Sequence, residues 1–251
     1  MDFEICLYKK KIKNPIFIEG LPGIGNVGKV AVDFIIDTLA PKKIGYIISK
    51  YFPHYVFIGE NNLVQLPKIE LFHKKIGDKD FVFMAGDVQP IDEPSCYEFC
   101  ANLLNILKKW KTKEIVTIGG IGLSEIPKKP IVYITGNNKK LINNFKGCNK
   151  KIYGVVGPIV GVTGVLVGMA GFYGIPAVAL LAQTYAHLAH LGISASREIM
   201  NVLNKTYNLE IDIERFDEEI NQLEKELKIR FEKGKELLKP FMEKRKLNYF
   251  G

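Results

Sequence analysis

The segment GLPGIGNVGK, residues 20–29, carries the densest chemistry-bearing pattern in this 251-residue sequence. It follows an apolar run with strand character, IFIE, and opens a stretch of helical spacing. Within it, Gly23, Gly25 and Gly28 stand in the G-x-G-x-x-G spacing of dinucleotide-binding turns. Glycines so placed allow positive φ and close approach to the backbone, and a helix start offers free N–H groups to an anion. The acid that should meet a ribose hydroxyl about twenty residues further on is missing, because that stretch reads YIISKY with Lys50 as its nearest charge. Gly28-Lys29 also lacks the spacer and the Ser or Thr of an NTPase phosphate loop. The set Gly20, Pro22, Gly23, Gly25, Asn26 and Gly28 therefore has three readings: a structural strand-to-helix turn, a small-anion site and a nucleotide site. The structural turn leads.

Other reactive side chains form no complete constellation. Asp87 in GDVQP follows an apolar strand, where α/β enzymes keep catalytic acids, but no base or nucleophile can be paired with it, and a polar turn or helix cap is the plainer reading. His54, His73, His187 and His190 lack metal-pair spacing; His187 and His190, three apart, suit one helical face in a core or interface. Cys96 and Cys100 have helical spacing in CYEFC and, with Cys6 and Cys148, read as buried free thiols. No catalytic residue, metal or cofactor is assigned.

The elements that position these residues alternate between strand and helix. Runs rich in β-branched and aromatic residues at 16–19, 44–49, 55–58, 81–85, 114–118, 131–135 and 177–181 predict strands. Spacing near 3.6 predicts helices over 27–39 and 94–110. The alternation predicts a layered α/β core with a largely parallel sheet.

Residues 153–192 contain no Asp, Glu, Lys or Arg, yet Gly157-Pro158 and Gly174-Ile175-Pro176 cut them into pieces shorter than the roughly 20 apolar residues of a spanning helix. A buried helix, with small residues at Gly161, Gly164, Gly168 and Gly171 for close packing, and then a buried strand are expected, with no membrane insertion. From Ile211 the composition turns to both charge signs, with Ile213, Phe216, Ile220, Leu223 and Leu227 in a heptad-like stripe. Pro240 ends that helix. The expected organisation is thus an α/β body over 1–210, an amphipathic helix over 211–240 and a tail over 241–251, FMEKRKLNYFG.

A formal charge of +8 with acids interspersed reads as a solvated Lys-rich surface, and no nucleic-acid motif accompanies it. The N-terminal MDFEICLYKKK has no secretory pattern, so a reducing cytoplasm is the expected compartment.

The succession GLPGIGNVGKVAVDFI, GDVQP followed by a Tyr and a helix, EIVTIGGIG, GVTGVLVG and GIPAVALLAQT followed by a helix resembles the proteasome assembly chaperone family over about residues 17–203. The resemblance implies a three-layer α/β/α body similar to nucleoside phosphorylases without their active site, homo-oligomers, and binding to proteasome α subunits. It also makes the tail interpretable, since some archaeal members and proteasomal activators end in a hydrophobic residue, a Tyr and a final residue that enter pockets between α subunits. Here Tyr249 matches the hydrophobic position, Phe250 stands for the penultimate Tyr and Gly251 is last, with Leu247 just upstream. Phe250 keeps the ring but forgoes a hydroxyl hydrogen bond worth about 1 kcal/mol, which several tails on one oligomer offset. The same residues also suit docking on the chain's own oligomer. The expectation is an ATP-independent chaperone homologue or adaptor acting on α subunits or another client. One alternative is a nucleotide or nucleoside enzyme using Gly23, Gly25 and Gly28 near Asp87; the other is a scaffold for a non-proteasomal partner.

Overall fold

The computed structural model describes residues 3–8, 12–59, 61–152, 154, 157–187 and 190–218. The chain divides into two compact units, 1–211 and 212–251. The first is built on an eight-stranded sheet in the order β1 (Phe3–Leu7), β3 (Lys42–Ser49), β6 (Ile69–Ile76), β7 (Lys79–Gly86), β2 (Ile16–Gly20), β8 (Glu114–Leu123), β10 (Ala177–Tyr185), β9 (Val132–Gly136). A separate two-stranded ribbon pairs β4 (Phe57–Ile58) with β5 (Val64–Gln65).

The sheet is mixed, which corrects the expectation of a largely parallel one. β7, β2, β8 and β10 run parallel, whereas β1–β3, β3–β6, β6–β7 and β10–β9 are antiparallel. The parallel centre is buried on both faces, so its strands read as the unbroken apolar runs FVFMA and AVALLA. The antiparallel half begins at a hairpin whose tight turn uses Gly77 at φ 60° between Ile76 and Lys79.

Helices cover both faces. On one side α2 (Glu93–Lys109) and α4 (Val162–Ala170) pack Phe99, Leu103, Leu107 and Leu166 against Phe17, Val82, Ile115 and Ala179. The intervening strand residues point the other way, as period-2 alternation requires. There α1 (Val27–Leu39) and α5 (Ile193–Tyr207) lie on the sheet, and Tyr207 meets the ring of Phe81 edge-on at 5.7 Å. This is an α/β fold of three layers. Caps fix the helix ends: Asp92 accepts from the Ser95 amide at 2.8 Å with Pro94 in the first turn, and Asn138 does the same for Leu141 at 2.9 Å at the start of α3 (Lys139–Asn144).

The uncharged stretch resolves as expected into α4 and β10. Gly164 packs closely, since a Cβ there would lie 2.0 Å from the Ile159 carbonyl, whereas Gly168 faces open space. Among the described residues, no helix is long and apolar enough to cross a membrane. The run at 55–58 does contain a strand, but it belongs to the exposed β4–β5 ribbon and not to the sheet.

Candidate functional site

The glycine motif occupies the turn between β2 and α1, at the carboxyl ends of the parallel strands. A 3-10 turn over Ile24–Asn26 carries the chain across, with Gly25 at φ 64° and Asn26 at φ 51°. Gly25 has two reasons to be glycine: its left-handed backbone, and Thr184, whose Oγ1 would lie 2.8 Å from any Cβ. At Gly28 the reason is close approach, because a Cβ would sit 2.6 Å from the Ile118 carbonyl oxygen of β8. The Gly28 carbonyl in turn crowds Gly20. Pro22 is tied down by its carbonyl, which accepts from Gln89 Nε2 at 3.0 Å, and Gly25 by its own, which accepts from the Gly192 amide at 2.7 Å. Packing therefore accounts for Gly20, Gly25 and Gly28. Gly23 differs: its backbone is extended and nothing lies within 4 Å of the Cβ it lacks.

Gly23 opens onto a groove of about 450 Å³ at the strand ends, lined also by Ile24, Gln89, Gly120, Ile159 and Thr163. Among the described residues, its lining contains no ionisable side chain. Asp87 lies instead in a smaller cavity of about 300 Å³ with Lys29, Asp33, Lys68 and Glu70. There Lys29 Nζ bridges Asp87 Oδ1 at 2.7 Å and Asp33 Oδ2 at 2.8 Å. Burial draws the Lys29 ammonium down, but hydrogen bonds and charges from the two aspartates outweigh it and hold it above its ordinary value. Asp33 is pushed above the usual carboxylate range by burial, against the pull of Lys29. The glycine groove and Asp87 thus lie in separate surroundings, and Asp87 is a partner in an ion pair.

Beneath the turn is a group that belongs to no sequence motif. Glu19, in the central strand β2, is fully buried, and burial raises its pKa to about 7. Hydrogen bonds moderate that shift: the Leu21 amide donates to Oε1 at 2.9 Å, the Ile118 backbone contributes, and the Thr163 hydroxyl reaches Oε2 at 3.4 Å. The signal was present in IFIEG, a lone acid in a strand otherwise apolar on both faces.

The sequence pattern of the PAC2 family matches residues 17–229 of this chain. The chain belongs to the PAC2 family. The resemblance to proteasome assembly chaperones read from the motifs is thereby confirmed. Among solved structures, this PAC2 chain is similar to PbaB of Pyrococcus furiosus, an archaeal proteasome activator. The two share 31% identity over 90% of this chain and 98% of that one, with a TM-score of 0.81. Pyrococcus furiosus PbaA, an archaeal homologue of proteasome-assembly chaperone, shares the fold at 24% identity and a TM-score of 0.75, with 98% of this chain and 99% of that one covered. An uncharacterized protein of Methanocaldococcus jannaschii is 29% identical over 227 residues, 88% of this chain and 87% of its own length.

Elsewhere in the PAC2 chain, His187, His190 and His73 find ordinary partners. His187 stacks on Tyr185 and His190 meets the same ring edge-on, both at 5.6 Å, in the loop after β10 and not on a helix. His73 Nε2 lies 2.6 Å from Asp80 Oδ1. Among the described residues, no group of three His, Cys, Asp or Glu is placed to hold a metal. All four thiols are free, but only Cys96 and Cys100 are buried; Cys6 and Cys148 are half-buried, which corrects the reading of four buried thiols. Leu247, Tyr249, Phe250 and Gly251, and the amphipathic helix beyond residue 218, lie outside the described residues.

Proposed function

We propose that this chain is an ATP-independent, homo-oligomeric proteasome assembly chaperone homologue or adaptor, whose segment 247–251 docks on proteasome α subunits or another protein client in the cytoplasm. The observation that carries the reading is membership of the PAC2 family together with likeness, over nine-tenths of the chain, to a structure described as an archaeal proteasome activator. The α/β unit is the mount, and the segment bearing Leu247, Tyr249 and Phe250 is the docking element. Aromatic anchors of this kind concentrate binding energy when a partner pocket desolvates them.

The rival, a nucleotide or nucleoside enzyme, has less support from the geometry. It needs the glycine groove and Asp87 to act on one substrate, whereas Asp87 is paired with Lys29 in a different cavity.

The deciding experiment compares capture of α subunits by the full chain and by a chain ending before Leu247. Recovery by the full chain alone is expected. Equal recovery removes the docking segment from the reading, and recovery of a different protein in place of α subunits favours the scaffold alternative. A saturable rise in Tm with nucleotides or nucleosides favours the enzyme.

A further inference from the structure

The β4–β5 ribbon is exposed on every side where a soluble surface should be polar. Ile58 is 76% exposed, Val64 68% and Leu63 66%, with Tyr55, Phe57 and Leu66 also exposed beside them. Residues 51–67 carry Glu60 as their one Lys, Arg, Asp or Glu, in a chain of which 25% is charged. The ladder itself is two residues long, Phe57 opposite Gln65 and Ile58 opposite Val64. A ribbon so short is at best marginal in water unless something covers it.

Beside its stem is a groove of about 690 Å³ with most of its surface apolar, walled by Ile48, Phe52, Pro53 and Pro67, by the ribbon's own Tyr55, Val56 and Leu66, and by the polar Ser49, Lys50 and His54. One molecule therefore offers an apolar finger and, against its flank, a mostly apolar recess that shares Tyr55, Val56 and Leu66 with it. Weighted by their exposures, these large apolar residues, main chain included, present on the order of 700 Å². That exceeds the roughly 300–600 Å² of the largest patch on an ordinary monomer and approaches the roughly 800 Å² that each partner gives to a standard interface. Depletion of charge is the compositional mark of an interface centre.

We infer that the β4–β5 ribbon seats in the stem groove of a second copy of this chain, so that residues 52–59 and 61–67 form the contact between copies. The exposed apolar area is close to what each partner gives to a stable interface, and a second copy brings both the finger and the recess to the contact. This rests on the homo-oligomer reading above and adds the surface to it. Reciprocal seating closes a pair, and one-way seating builds a ring or an open array according to its rotation.

Native mass spectrometry and sedimentation of the full chain, wild type and Ile58→Asp/Val64→Asp, test the inference. Both side chains are solvent-exposed, so an unchanged far-UV circular dichroism spectrum is expected for the variant. The wild type is expected as a multiple of 28.3 kDa and the variant as the single chain. A variant that keeps the wild-type mass overturns the ribbon contact while leaving the oligomer standing. A wild type that stays a single chain at high concentration overturns both, and leaves the patch to a different partner. Hydrogen exchange on the wild type needs no substitution: amides of residues 55–66 should lose protection on dilution, and protection independent of concentration counts against the contact.

Discussion

Lys29 Nζ stands 2.7 Å from Asp87 Oδ1, and this ion pair joins the first turn of α1 to the end of β7. Asp33 Oδ2 approaches the same ammonium at 2.8 Å. Lys29→Met leaves two carboxylates facing one another around a half-buried site, and a loss of about 1–2 kcal/mol is expected by urea unfolding. Asp87→Asn removes the more exposed partner, with a side chain 55% exposed, and should cost less than about 1 kcal/mol with client capture unchanged. A large loss of capture in Asp87→Asn at unchanged stability would return Asp87 to the list of functional acids.

The two ends of the glycine motif should respond in opposite ways to a single methyl group. At Gly28 a Cβ meets the Ile118 carbonyl at 2.6 Å, backbone that cannot swing aside, so Gly28→Ala is expected to lower stability by about 2 kcal/mol or more. Gly23→Ala meets nothing within 4 Å and should change stability by less than about 0.5 kcal/mol. If the turn served a ligand, Gly23→Ala would abolish a ligand-induced rise in Tm while leaving the free protein as stable as the wild type.

The elements legible from sequence are those whose pattern is local. The apolar runs of β2, β7, β8 and β10 and the spacing of α1 and α2 announce themselves, because burial on both faces or along one stripe leaves no other reading. β6 is not legible: IELFHKKI alternates at first and then gives way to His73, Lys74 and Lys75, and the partners of His73 and Lys74 come from outside the strand. His73 meets Asp80 across the hairpin, and Lys74 reaches the Leu39 carbonyl at the end of α1. β1 passed unseen because it is half-buried along its whole length and pairs with β3, some forty residues away. The ribbon's strand character was visible, but nothing in YVFI says whether its apolar side chains face a core or water. In the site, the glycine spacing was plain and its cause was not, since the Ile118 and Thr184 atoms that exclude a side chain come from β8 and β10.

Asn137 holds the entry to β10 with both ends of its amide. Its Oδ1 accepts from the Ala177 amide at 2.8 Å, while Nδ2 donates to the Ile175 and Val167 carbonyls at 3.1 and 3.3 Å. Asn137→Ala leaves those backbone groups unpaired in a partly buried setting, and a loss of about 2–3 kcal/mol is expected in chemical denaturation. Asn137→Asp keeps the acceptor but turns a carboxylate oxygen onto the Ile175 and Val167 carbonyls, so at neutral pH it should cost at least as much as Ala. An Ala variant within about 0.5 kcal/mol of wild type would mean that water replaces the amide.

Glu19 makes stability depend on pH in the direction opposite to a paired surface acid. Its folded pKa of about 7 lies above the ordinary 4.5, so between those values the folded chain binds a proton that the unfolded chain releases. Below pH 4.5 both states are protonated and the burial of Glu19 carries no charge penalty. As pH rises through 4.5 to 7 the penalty grows, reaching about 3 kcal/mol above the folded pKa. Unfolding free energy from urea titrations should therefore decline from pH 5 to pH 8. Glu19→Gln keeps an oxygen for the Leu21 amide and removes the titration, so its profile over that window should be flatter and its stability at pH 8 higher than wild type. The same slope in both proteins would show that the carboxylate keeps its charge in the strand, held by the Leu21, Ile118 and Thr163 hydrogen bonds more strongly than burial opposes it.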